Sequence, residues 1–397
     1  MEKKYIIYVG GFILPDGNAA AHRVLANAKI LRNLGYEVVF LGNQKLNVLK
    51  THDLILNEKI VDGFKSYTII YPTSFKSWIH HLYSIKELKK IIKHIGSTNV
   101  YGIIAYNYQA LALKNLVQLC KKSKIKLIAD CTEWQVVKRK SILISWIKNM
   151  DTFYRMKILH KKLDGLIAIS SYLFDYYKLR MKNVLLLPPL VDLNDDKWKN
   201  KTQNIDKKCK LIYAGSPGTG SKDRVDKVLK ALSKIKYQNP ISFMLTIVGI
   251  TKEQYINNFG NDSLPTNLEE ELIFKGRISH ADTIKATQNS DFTIFLRDNN
   301  LITMAGFPTK FVESISCGIP VLTNSSSNII DYLEKGSFGF LLDISSENLL
   351  VDSLYKAISQ SQEEVNEMKK QCELSNLFDY HSYQNDMHNF MNQLSYS

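Results

Sequence analysis

Short runs of β-branched and other apolar residues recur along the chain, separated by stretches in which apolar positions return every three or four residues. In the first half the runs are Tyr5–Val9, Val38–Leu41, Thr68–Tyr71, Gly102–Ala105, Lys126–Ala129, Leu166–Ile169 and Val184–Leu187. A second series follows at Lys210–Ala214, Phe243–Val248, Leu272–Phe274, Phe292–Leu296, Pro320–Thr323 and Phe338–Leu342. Strand-length runs alternating with helical patterns predict βαβ units and buried parallel sheets. Two such series predict two doubly wound α/β domains in tandem, spanning 1–190 and 207–377. The polar segment between them, within Pro188–Asp206, opens on two prolines and suits a connection over 191–206. The last stretch, 378–397, is polar with spaced aromatics and is expected to return to the first domain as a helix. A length of 397 residues agrees, since it exceeds what one hydrophobic core usually supports.

Charge divides the chain unevenly. Residues 1–192 carry 30 Lys and Arg against 13 Asp and Glu, whereas the remainder carries 22 against 25. The basic half suits an anionic membrane surface or lipid acceptor first, plain solvated lysines second and nucleic acid least. No helix-turn-helix, zinc-finger spacing or aromatic RNA-binding signature accompanies the charge. No run reaches the roughly 18 apolar residues that span a bilayer, and Met1–Gly10 moves straight into a core strand, so a cytoplasmic protein at the inner membrane face is expected. The five cysteines are scattered without metal-ligand spacing and read as free thiols.

In open parallel sheets ligands sit beyond the carboxyl ends of the strands, so residues just after strands carry the functional weight, and two such domains would hold a ligand in a cleft between them. The first strand ends in Gly10-Gly11, where paired glycines either let the backbone approach a ligand or make a tight structural turn. The pattern is not G-x-G-x-x-G, which disfavours a dinucleotide cofactor. After the fifth strand comes Asp130-Cys131-Thr132-Glu133-Trp134. Asp130 and Glu133 are either acceptor-orienting carboxylates or an acidic helix cap, and Trp134 suits stacking on a sugar face. The segment Val137–Leu163 mixes Trp146, Met150 and Phe153 with Lys138, Arg139, Lys140, Lys148 and Lys157. That composition fits a basic helix lying on an anionic leaflet and equally a core-facing helix with a solvated back.

In the second half, Ala214–Asp223 follows a strand and opens a helix. Gly215 and Ser216 expose backbone donors, and Lys222 is placed to neutralise a diphosphate. Gly215 and Gly220 have P-loop spacing, yet Ser221 stands where Lys is required, so ATP hydrolysis is a weak reading. The stretch Ala305–Val321 is the most informative. Gly306, Phe307 and Pro308 lead into a helix whose first turn holds Thr309 and Lys310, an arrangement that predicts an anion site. Glu313 lies about one turn deeper, where a carboxylate accepts two ribose hydroxyls.

With these pieces in place the chain resembles the retaining family 4 glycosyltransferases of the GT-B fold, two tandem Rossmann-like domains facing a central cleft. The likeness rests on Gly10-Gly11 with the helix ending before Leu34–Val38, on Ile169–Leu173, on Gly276-Arg277-Ile278 and above all on Gly306–Val321. That last block resembles the family's E-x7-E helix and following C-G-x-P-V segment. The resemblance implies that the first domain binds a saccharide acceptor, and that its Gly10 and Gly11 approach the transferred sugar of the donor. It implies that Glu313 binds the donor ribose, Gly306 and Phe307 give amides to the sugar or phosphate, Lys222 holds the diphosphate, and the backbone at Arg277 and Ile278 meets the base. The implied donor is a UDP- or GDP-sugar, and the implied acceptor a polyprenyl-linked saccharide in bacterial surface-polysaccharide assembly.

Three departures bear on this. Ala305 occupies the first glutamate of E-x7-E, Ser216 stands where many members have arginine, and no histidine appears in Asp130–Glu133. Lys222, with Lys310 or Arg297, is then left to carry the phosphate charge, and Asp130 and Glu133 are the remaining polar candidates in the first domain. No two aspartates lie two positions apart, so leaving-group stabilisation by cations and helix ends, without metal or other cofactor, is expected. A nucleotide-sugar 2-epimerase of the same build and a degenerate transferase serving as scaffold are the rival readings.

Overall fold

The apolar runs form two parallel sheets. The computed structural model describes residues 4–44, 58–136, 142–199, 208–217, 222–239 and 241–395. The chain divides into two compact units, unit 1 comprising 1–190, 305–307 and 379–397, and unit 2 comprising 191–304 and 308–378.

In unit 1 the strands are β1 (Tyr5–Gly10), β2 (Glu37–Gln44), β3 (Lys59–Val61), β4 (Phe64–Ile70), β5 (Val100–Tyr106), β6 (Lys126–Cys131), β7 (Gly165–Ala168) and β8 (Val184–Leu186). Their order is β3-β4-β2-β1-β5-β6-β7-β8, and every pairing except β3 with β4 is parallel. Helices α1 (Ala19–Asn33), α2 (Phe75–Tyr83), α3 (Lys86–Ile95), α4 (Ala110–Ser123), α5 (Ile142–Tyr154) and α6 (Ser171–Lys178) connect them. Strand and helix side chains such as Ile6, Tyr8, Val24, Ile30, Phe40 and Ile128 are buried together in one core. The C-terminal helix Gln384–Ser395 closes that core with Met387, Phe390 and Leu394. Gly165 begins β7 because a Cβ there would stand 2.7 Å from the Phe390 ring.

Unit 2 contains β9 (Cys209–Ala214), β10 (Phe243–Val248), β11 (Leu272–Gly276), β12 (Phe292–Phe295), β13 (Val321–Thr323) and β14 (Gly339–Leu341), all parallel in the order β11-β10-β9-β12-β13-β14. Helices α7 (Val225–Gln238), α8 (Lys252–Phe259), α9 (His280–Gln288), α10 (Leu301–Ala305) and α11 (Thr309–Ser316) belong to this half of the sequence. The strand order reverses beside β9, as it does beside β1 in unit 1, and such switch points are where ligands of doubly wound sheets bind. The segment expected as a linker is less free than its polarity suggests. Trp198 is buried with Ile284, Cys317 and Ile319, while 200–206 lie outside the described residues.

Within Val137–Leu163 the described residues are helical without a break from Ile142 to Lys162, although the pitch changes along the way. Of it, Lys138, Arg139 and Lys140 lie outside the described residues, α5 ends at Tyr154, and a π turn Arg155–Leu159 follows. Among the described residues no helix is long and apolar enough to cross a membrane.

Candidate functional site

The carboxyl ends of β9, β10 and β11 are drawn together by glycine. Gly215 N donates to Val248 O at 3.0 Å, and Gly249 N to Gly276 O at 2.7 Å. Gly249, at φ +105°, lies so close that a Cβ would be 2.0 Å from Gly215 O. Ser216 is exposed, its Oγ 3.5 Å from Gly249 O, and Arg277 and Ile278 follow β11 directly, with Arg277 exposed. Backbone therefore forms this edge of unit 2, where side chains would block a flat ligand.

Across the switch point, β12 runs into Arg297 and forms a buried ionic cluster. Arg297 Nε donates to Asp223 Oδ1 at 2.9 Å, Tyr213 OH donates to Asp223 Oδ2 at 2.8 Å, and Lys310 Nζ bonds the same oxygen. Asn324 fixes Arg297 from behind, accepting from its N–H and donating to its carbonyl, both at 2.8 Å. The Lys310 ammonium also lies 4.4 Å over the Tyr213 ring. Burial opposes the Asp223 charge, but Lys310 and Arg297 outweigh it and hold the carboxyl below its usual range. Burial pulls the Lys310 ammonium down, against the pull of Asp223. One carboxylate against two cations leaves a surplus positive charge, and a Cβ on Gly215 would stand 2.8 Å from Lys310 Nζ. The glycine thus leaves room for the lysine on that side.

Pro308 precedes α11, which no side chain caps, and Thr309 and Lys310 occupy its first turn. Glu313, on the next turn, is part-exposed and its Oε1 lies 3.2 Å from His280 Nε2. Gly306 and Phe307 are buried, grouped with unit 1 like Ala305, whose carbonyl accepts from Ser170 Oγ at 2.9 Å. Lys222 is exposed just before α7, and the loop residues Gly218–Ser221, Gly220 among them, lie outside the described residues. Sequence reading placed phosphate neutralisation mainly on Lys222. The structure instead joins Lys310 and Arg297 through Asp223, which was not recognised as a partner.

In unit 1 two expectations are corrected. Asp130 is fully buried and accepts from Arg23 Nε and Nη2, from Tyr8 OH at 2.5 Å and from Asn27 at 3.5 Å. Its oxygens are spent on internal donors, so it is a structural counter-ion and not an acceptor-orienting base. Trp134 is also buried, packed edge-on against Tyr176 at 5.0 Å, which takes its face away from any sugar. Glu133 differs, being only half-buried and 3.5 Å from Asn107 Nδ2. Gly10 answers to packing, since a Cβ would meet Tyr106 O at 2.6 Å, whereas at Gly11 nothing lies closer than 3.8 Å. Among the described residues no three His, Cys, Asp or Glu side chains gather as a metal would need.

Residues 194–391 match the family model described as glycosyl transferases group 1. The chain belongs to that family. Glycosyl transfer is accordingly its class of chemistry, and the two Rossmann-like units are those of the GT-B fold. Solved structures agree on the fold. Sucrose-phosphate synthase from Thermosynechococcus elongatus superposes with a TM-score of 0.69 at 14% identity, covering 99% of this chain and 100% of its own. Anabaena Alr3699/HepE, solved with UDP and glucose, gives 0.65 at 13%, covering 98% and 99%. The pneumococcal O-GlcNAc transferase GtfA, solved with UDP and GlcNAc, gives 0.64 at 10%, covering all of both chains. No curated protein matches the sequence.

Proposed function

We propose that this group 1 glycosyltransferase moves a sugar, with retention of anomeric configuration, from a UDP- or GDP-sugar to a saccharide acceptor carried on a polyprenyl lipid in bacterial polysaccharide assembly. The observation that carries the reading is the surplus positive charge of Asp223, Arg297 and Lys310 beside Gly215, at the switch point of unit 2. A diphosphate there would gain charge-assisted hydrogen bonds from Lys310, Lys222 and the amides of α11, including Thr309 after Pro308. The amides of Gly306 and Phe307 are assigned to the sugar or its phosphate. Glu313 would accept the ribose hydroxyls, and the backbone at Gly215, Ser216, Arg277 and Ile278 would border the base and phosphates. As the C1–O bond to the diphosphate breaks, the acceptor oxygen bonds C1 from the same face and its proton passes to a phosphate oxygen. The cations stabilise the leaving group, so no metal is assigned. Solved relatives of this fold are titled as complexes with UDP and a sugar, which supports the donor class.

Unit 1 is assigned the acceptor, with Glu133 at the end of β6, while Gly11, open at the end of β1 with Gly10 before it, is assigned to the transferred sugar. Its 30 Lys and Arg against 13 Asp and Glu in residues 1–192, together with exposed Phe75 of α2 and Ile142, Leu143 and Trp146 of α5, suit peripheral contact with the anionic cytoplasmic face of a membrane. Thermal unfolding with UDP, GDP, ADP and dTDP tests the donor: saturation at a hundred times Kd stabilises by about 2.7 kcal/mol. Absence of any shift rejects the site and leaves a scaffold. Donor consumption without added acceptor favours epimerisation.

A further inference from the structure

Helix α9 packs against the end of α11 in unit 2, and both are fastened where they face the core. On α9, Ile284 is buried with Trp198, Cys317 and Ile319, and Gln288 Nε2 donates to Lys197 O at 2.9 Å. Ser279 caps the first turn, its Oγ accepting from Asp282 N at 3.1 Å, and Thr283 Oγ1 donates to Ser279 O at 2.9 Å. On α11, Phe311, Val312 and Ile315 are buried, and Ser314 Oγ lies 2.7 Å from Thr293 Oγ1 and 2.8 Å from Ile319 O. The backbones at His280 and Glu313 are therefore set by contacts that involve neither side chain.

From those backbones the two side chains reach each other. His280 Nε2 lies 3.2 Å from Glu313 Oε1, at side-chain exposures of 27% and 28%. An ionised carboxylate only accepts, so Nε2 carries the proton and donates it. Among the described residues no other side-chain hydrogen bond reaches the Glu313 carboxylate, which leaves Oε2 uncommitted. A part-exposed pair of this kind adds little to stability. Its effect falls on Glu313 itself. Glutamate has three rotatable bonds, and a carboxylate that swings freely must be stopped when a ligand binds, which weakens binding. A hydrogen bond from an imidazole on a fixed helix removes part of that loss beforehand.

We propose that His280 is a positioning residue: it holds the Glu313 carboxylate by one oxygen so that the other meets the ribose of the donor nucleotide, and it thereby sets the preference for ribo- over deoxyribonucleotides. The proposal rests on the assignment of Glu313 to the ribose made above.

Calorimetry on the full chain with UDP, GDP and their 2′-deoxy forms tests this. In the parent the ribonucleotide should bind more tightly than its deoxy form. His280→Ala should weaken ribonucleotide binding about three- to tenfold, the size of one net hydrogen bond, with the deoxy form almost unaffected and thermal unfolding unchanged. His280→Gln, whose amide nitrogen takes the place of Nε2, should restore most of the affinity. Added to Glu313→Gln, His280→Ala should cause no further loss, because the two side chains act through one carboxylate. Parent-like binding of both forms by His280→Ala overturns the proposal, as does an equal loss for the deoxy form, a loss that His280→Gln leaves unrepaired, or a full further loss in Glu313→Gln. Failure of the underlying assignment looks different: a parent that binds ribo- and deoxyribonucleotides alike, or neither, defeats the ribose role of Glu313 and this proposal with it. A parent preference that survives His280→Ala defeats only the part given to His280.

Discussion

Arg23 Nε and Nη2 donate to Asp130 Oδ1 at 2.9 and 2.8 Å, joining α1 to the end of β6 across 107 positions of sequence. Arg23 Nη1 also donates to the carbonyls of Leu187 and Pro188, at 2.9 and 3.1 Å, so one guanidinium ties three segments of unit 1. Side-chain exposures of 3% and 0% mean that water cannot replace either partner.

Asp130→Asn should therefore cost about 3–5 kcal/mol of stability, because it leaves a buried guanidinium without its counter-charge. Urea unfolding measures this. Replacing both residues together, as Arg23→Leu with Asp130→Leu, should cost less than the single change, since removing a whole buried pair leaves no orphaned charge. A fully stable Asp130→Asn that had lost transfer would return this residue to the catalytic set.

The same pair shows where reading the chain without coordinates stops. Strand positions were legible because alternation between apolar runs and helical spacing is a local property, as at Tyr5–Val9 and Phe243–Val248. The antiparallel β3–β4 hairpin was missed although Asp62-Gly63, at φ 51° and 79°, carries a strong local turn signal. Partner choice is different. Nothing near Asp130 announces Arg23, and nothing near Lys310 announces Asp223, 87 positions away. The α11 segment was found because proline, lysine and glutamate sit at helical spacing within six residues, whereas its counter-ion comes from another βα loop.

Lys310→Met should leave the fold intact, since Asp223 keeps Arg297 and Tyr213, but it removes the surplus charge beside Gly215. We expect kcat to fall by about 10²–10³, the loss typical of one donor to a developing anion. Gly215→Ala should act in the same direction with a smaller effect, because its Cβ must push aside an ammonium 2.8 Å away. Steady-state rates with a donor sugar, and calorimetry with the matching nucleoside diphosphate, check both. Unchanged rates in Lys310→Met would remove the cluster from the site.

Glu313 has a side-chain exposure of 28%, so Glu313→Gln should alter stability by no more than about 0.5 kcal/mol. Its effect should appear in the ribose. Hydrogen bonds to a charged acceptor contribute about 1.5–3 kcal/mol, which is roughly ten- to a hundredfold in affinity for a nucleoside diphosphate. The parent chain should prefer UDP to 2′-deoxy-UDP, and the variant should bind both alike. A preference retained in Glu313→Gln would place the ribose elsewhere.

His160 supplies a pH dependence independent of the transfer site. It is 2% exposed, with Nδ1 2.9 Å from Tyr177 OH, and burial, aided by the Arg155 charge, lowers its pKa from 6.5 to about 3. A depressed histidine is neutral in the folded chain while the unfolded chain takes up a proton below about 6.5. The unfolded state thus binds more protons between pH 6.5 and 3, and stability falls as pH falls through that window. At about 1.36 kcal/mol per unit, the loss from pH 6.5 to 5 is about 2 kcal/mol. His160→Gln removes the titration, so urea unfolding of parent and variant at the two pH values should show the parent losing about 2 kcal/mol more. Equal losses would mean that His160 is protonated in the folded chain, which its burial beside Arg155 opposes.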